Sequence, residues 1–219
     1  PSASGVILYM DAFGPRPGLD QMAERLAGAG HIVLVPDLFY RHAPYGPYDP
    51  KTAFSTPETS DQIRGFLAAT TLAMNERDTG DFIKTLTEAG ATGKIGTTGY
   101  CMGGARSLVA AAAFPDRVAA AASFHGGNLA SDAPESPHLR VRTMKARIYV
   151  GMAGVDRAFP PEQSQRLEKA LREAEKDFII ENYAGMEHGW AVPDHRVFDE
   201  KGAERHWQRL LALFDETLH

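Results

Sequence analysis

Cysteine is almost absent from this chain: Cys101 stands alone in 219 residues. One thiol excludes an intramolecular disulfide and any cysteine-based zinc cluster, and no metal is expected. It also fits a reducing, cytoplasmic setting. Long apolar runs are missing as well. The longest, such as Val118–Phe124, are strand-sized and fall far short of the ~20 residues a membrane span needs, so no membrane partner is expected. No targeting segment is visible. Positive charge is scarce: 23 Lys and Arg against 28 Asp and Glu give a net charge of −5, and no basic stripe could track phosphates, which argues against nucleic acid. There is no internal repeat, low-complexity tract or dividing linker.

What is present is an ordinary globular composition, 43% hydrophobic and 9% aromatic, at a length that suits one α/β domain over residues 1–219. Short apolar runs at Val6–Met10, His31–Pro36, Lys94–Thr98, Val118–Phe124, Ala146–Gly151 and Asp177–Tyr183 read as strands. Between them lie segments of helical period, including Leu19–Leu26, Ile63–Met74, Asp81–Ala89, Gly103–Phe114 and Pro161–Glu175. A closing amphipathic helix carries Trp207, Leu210 and Phe214 on one side. A loop of Tyr, Pro, Gly and Asp fills Phe39–Thr59. The alternation predicts a doubly wound, mostly parallel α/β sheet with helices on both faces. Ligands of such sheets sit beyond the carboxyl ends of the strands.

After the third of these strands comes Gly99-Tyr100-Cys101-Met102-Gly103-Gly104. Gly-x-Cys-x-Gly between a strand and a helix is the nucleophile-elbow pattern with sulfur in place of the usual oxygen. Glycine on both flanks lets strand and helix approach closely, and the thiol stands at a helix N-terminus, which favours a thiolate. The bland alternative is a packed core cysteine beside a Gly-rich turn.

A cysteine nucleophile needs a base, and the base an orienting acid. His188, in Glu187-His188-Gly189, follows the last strand, and Asp156, in Gly154-Val155-Asp156, follows the one before it. The order nucleophile, acid, histidine is that of the α/β-hydrolase fold. His125, directly after Phe124, is the one rival at a strand end, but it precedes the acid. His31, His195, His206 and His219 are expected to be solvated.

Taken together, Gly99–Gly104, Gly154-Val155-Asp156 with Phe159-Pro160-Pro161-Glu162, Glu187-His188-Gly189 and Pro36-Asp37-Leu38 resemble the dienelactone hydrolase family, over nearly the whole chain. The resemblance implies an α/β-hydrolase fold without a cap domain, and hydrolysis of a small-molecule ester or lactone through a Cys–His–Asp triad, without cofactor, in a monomer or homodimer. Cys101 would be the nucleophile, His188 its base and Asp156 the orienting acid. The backbone N–H groups of Ala12 and Met102 would form the oxyanion hole. Members carry a thiol-activating Glu after the first strand; here Asp11 stands in its place, one methylene shorter, as the candidate for tuning the thiol. Dienelactone-cleaving members also hold the substrate carboxylate with an Arg four residues after the histidine, where this chain has Val192. Arg41, Arg106, Tyr40 and Trp190 are therefore the candidate substrate contacts. Members further have one or two short strands ahead of the one at Val6–Met10, where only Pro1–Gly5 stand here. A rival reading from another class is a non-catalytic member that binds a small ligand or senses oxidants through Cys101.

Overall fold

The apolar runs form strands β1 (Gly5–Tyr9), β2 (Ile32–Leu34), β3 (Ile95–Tyr100), β4 (Val118–Phe124), β5 (Arg147–Val155) and β6 (Phe178–Glu187) in a computed structural model that describes residues 3–218. They make one sheet of order β2-β1-β3-β4-β5-β6, and every pairing is parallel. β1 and β3 are buried along their whole length, as central strands covered on both faces should be. Neighbouring residues of β3 show the two faces directly. A Cβ on Gly96 would lie 2.7 Å from the Phe214 ring, whereas the Thr97 hydroxyl turns the other way and bonds Ser107 Oγ at 2.8 Å.

Phe214 belongs to helix α6 (Glu200–Thr217), which shares its face with α1 (Pro17–Gly28); Arg25 of α1 lies over the Trp207 ring at 4.8 Å. Ser107 belongs to α4 (Met102–Ala113), on the opposite face with α3 (Leu72–Glu88). A 3₁₀ turn, Pro137–Thr143, packs against both α4 and α5 (Pro161–Glu173). α2 (Pro57–Ala69) runs ahead of α3. No cap domain is inserted among the described residues. No helix among them is long and apolar enough to cross a membrane.

Several boundaries differ from the sequence pattern: α2 begins at Pro57, β5 and β6 run four residues further, to Val155 and Glu187, and two other differences have a local cause. The pattern ends one helix at Met74 and starts the next at Asp81, but the break lies at Thr70–Thr71, where Thr71 Oγ1 accepts the Met74 N–H at 3.1 Å as a cap. α3 then continues through Gly80 without a break. The second difference concerns His31, expected in solvent. It is buried instead, bonded to Ser4 Oγ at 2.7 Å and set edge-on against Phe214, and only Ile32–Leu34 pair as strand.

The strand order reverses between β1 and β3. Ligands of open α/β sheets bind at such a switch point, and the loops that leave β1 and β3 meet there.

Candidate active site

Cys101 occupies the single residue between β3 and α4, with φ 55° and ψ −117°. A side chain at positive φ is strained, and surrounding contacts must hold it there. They do so on two sides. A Cβ on Gly99 would fall 2.0 Å from Gly103 O, and one on Gly103 would fall 2.3 Å from Tyr9 O, so strand, elbow and helix touch through bare backbone. The Cys101 amide donates to Phe124 O at 3.2 Å and to His125 Nδ1 at 3.1 Å.

An irregularity in the β5–β6 pairing between Ala153 and Val155 sets Val155 opposite Glu187. The next residues of the two strands are Asp156 and His188, and their side chains meet: His188 Nδ1 lies 2.7 Å from Asp156 Oδ2. Asp156 is buried, and its other oxygen accepts the Ala158 N–H at 2.8 Å, which fixes the carboxylate. On its far side His188 lines the same two cavities as Cys101. Burial alone would lower the pKa of this ring. The negative charge of the Cys101 sulfur and the bond to Asp156 outweigh burial and raise it from 6.5 to about 10. The imidazole thus stands between the Cys101 sulfur and a fixed carboxylate.

That shift has a sign for stability. A raised imidazole contributes fully below pH 6.5 and loses its contribution as pH rises through about 10. Thermal stability should accordingly fall across this window in the native chain, and less steeply in Asp156→Asn; equal slopes would contradict the pairing.

Two cavities meet at Cys101, His188 and Leu67. One, of about 560 Å³, is walled by Phe13, Phe54 and Val197 and reaches His195 and Arg196. The other, of about 620 Å³, runs along α4 past Thr70, Arg106, Asn128 and Ser131. Ala12 borders the first and Met102 the second. Met102 opens α4, so its N–H has no partner within the helix.

The remaining candidates separate. Asp11 is fully buried, and its hydrogen bonds lead away from the thiol. Arg16 grips both its oxygens at 2.6 and 2.8 Å, His195 Nε2 lies 2.8 Å from Oδ2, and the Phe13 N–H donates to Oδ1. Burial would raise this carboxyl, but His195 and Arg16 hold it down at about 2. The expectation that Asp11 tunes Cys101 is thus replaced by a structural role in the β1 turn, where Arg16 also ties down Asp194. Arg41 forms a two-pronged ion pair with Asp78 and lies over the Tyr40 ring; neither Arg41 nor Tyr40 lines either cavity. Trp190 is fully buried against Tyr183 and His125, which removes it from substrate contact too. Only Arg106 of the four lines a cavity at the thiol. Val192 is wholly buried and lines neither cavity.

His195 and His206, expected in solvent, are largely or wholly buried; His206 bonds the Tyr100 hydroxyl at 2.7 Å. His219 lies outside the described residues. The sequence signal for His195 was weak, because its partner Asp11 is 184 positions away.

A parallel sheet with a cysteine elbow at its switch point and an Asp–His pair beside it defines an α/β-hydrolase. The dienelactone hydrolase family model matches residues 1–218, and the chain belongs to that family. It is an ester or lactone hydrolase. It is 28% identical over 224 residues to a carboxymethylenebutenolidase of Rhodococcus opacus, spanning 99% of this chain and 82% of that one. Among solved structures it resembles a dienelactone hydrolase-like promiscuous phosphotriesterase from metagenomic libraries (TM-score 0.79, 22% identity, 99% and 87% of the two chains). It also resembles a dienelactone hydrolase of Anabaena variabilis (TM-score 0.62, 21% identity, 99% and 88%). These structural likenesses show the fold.

Proposed function

We propose that the chain opens ester or lactone bonds, in the manner of a carboxymethylenebutenolidase, by acyl transfer to Cys101. The observation that carries this reading is that the hydrogen-bonded His188–Asp156 pair meets Cys101 at the junction of two cavities. The Cys101 thiolate attacks the carbonyl carbon, and the oxygen takes up the negative charge at the N–H groups of Ala12 and Met102. As the carbon–oxygen bond breaks, His188 gives its proton to the leaving oxygen, and a thioester remains. His188, now neutral, removes a proton from water, which attacks the thioester; the thiolate departs and the acid is released. Asp156 keeps the ring turned toward sulfur throughout. A thiolate expels an enolate more readily than an alkoxide, which favours enol lactones and activated esters. A nucleophilic lone thiol also suits the reducing cytoplasm.

Rapid quenching after mixing with an aryl acetate tests the scheme. An acetyl group should appear on the Cys101 peptide, be removed by hydroxylamine, and decay at the rate of turnover. Turnover without the adduct would refute it, and a stable adduct without turnover would favour the ligand-binding or thiol-sensing reading.

A further inference from the structure

Arg106 is 6% exposed, yet it has no carboxylate partner among the described residues. Its guanidinium bends back along α4 and donates to two carbonyls, Met102 O at 2.8 Å and Thr70 O at 2.6 Å. A guanidinium has five N–H donors. Its Nε is buried with no partner, although the group lines the cavity that ends at Cys101. A buried cation is costly unless an anion compensates it. The buried guanidinium of Arg16 obeys that rule, with Asp11 and Asp194 as its partners.

We propose that the anion Arg106 serves is the Cys101 sulfur, and that Arg106 is a positioning residue whose fixed charge, held one helical turn behind the elbow, keeps the nucleophile reactive at neutral pH. Its bond to the carbonyl of Met102, the residue next to Cys101, holds it on the wall of the cavity that Cys101 also lines. The bond to Thr70 O ties it to the C-terminal end of α2, whose carbonyls tolerate a cation. Burial lowers the pKa of Arg106 to about 10, and the charge of Cys101 opposes that drop, so the guanidinium remains charged at neutral pH and is coupled to the sulfur. The reading completes a charge balance. Thiolate, imidazolium and Asp156 sum to one negative charge, and Arg106 cancels it.

Other groups face the sulfur from the neighbouring elements. His188 and Asp156 come from the ends of β6 and β5. His125, at the end of β4, is kept neutral by burial. His195, Lys51 and Arg196 border the first cavity and Glu135 the second. Of these, His195 is tied to Asp11, while Lys51, Arg196 and Glu135 are exposed, where solvent and salt screen them. Arg106 is the buried permanent cation of the set.

The test reads the thiol without any ester: the rate of Cys101 alkylation by iodoacetamide against pH, in the native chain and in Arg106→Gln, Arg106→Met and Arg106→Lys. Loss of an adjacent opposite charge should move the profile of Gln and Met about one unit toward higher pH and slow alkylation about tenfold at neutral pH. Arg106→Lys should recover most of that rate. A folded neutral variant with the native profile overturns the proposal. If neither neutral variant folds, Arg106→Lys decides: a profile close to native upholds it, and a full shift with the charge retained overturns it. The inference rests on Cys101 being the nucleophile only for its effect on turnover; acyl trapping examines that role separately.

Discussion

Replacing Cys101 by alanine is expected to lower aryl-ester hydrolysis by about 10⁴-fold or more while leaving the fold intact. The drop is large because no other nucleophile faces the junction of the two cavities. His188 and Asp156 would remain paired, but the ring would have only water to activate. The fold should survive because the strain at this residue lies in the backbone. Alanine at φ 55° is no worse placed than cysteine, and the amide bonds to Phe124 O and His125 Nδ1 do not involve the side chain. Circular dichroism and thermal unfolding monitor the second half of the expectation. Native-level hydrolysis by Cys101→Ala would refute the acyl-transfer scheme. Cys101→Ser should retain a trace, since a hydroxyl beside the same imidazole is a far weaker nucleophile at neutral pH.

Gly99→Ala is expected to prevent folding, or to cost more than about 5 kcal/mol, a large share of the stability of a single domain. The new Cβ would stand 2.0 Å from Gly103 O and 2.3 Å from its carbonyl carbon. Neither side can yield. Gly99 lies in β3, paired to β1 and β4, and Gly103 lies in the first turn of α4, itself pressed against Tyr9 O. Gly65→Ala serves as the control. Gly65 is exposed inside α2 with open space around it, so alanine there should stabilise by about 1 kcal/mol through helix propensity. Soluble yield and urea midpoints separate the two. A Gly99→Ala protein of native stability would mean that elbow and strand are less tightly joined than described.

The contrast between these glycines explains what could be read before any coordinates. The strands and the elbow were legible because their signals are local: apolar runs of strand length, and glycines spaced around one cysteine. The convergence of Asp156 and His188 was legible because a parallel sheet brings all strand ends to one edge. The fate of Asp11 was not. Its position after β1 suggested a place beside the thiol, but Arg16 and His195 outbid the sulfur for its oxygens, and no short-range pattern announces that competition. Trp190 misled for a related reason: a Trp two residues after His188 can line a cavity or fill the core, and the tilted Tyr183 ring and the edge-on His125 ring decide for the core. For Arg106 the sequence could give the position but not the missing counter-ion, which is a property of three dimensions.

His125 has a use of another kind. Because its Nδ1 accepts the Cys101 amide proton, its own proton sits on Nε2, buried and without a partner. Such a proton exchanges slowly with solvent and resonates apart from the amide envelope. The ring meets His188 edge-on, with centroids 5.0 Å apart. The chain thus contains a natural magnetic-resonance probe beside Cys101 and His188, one that stays neutral itself while registering each change of charge on its neighbour.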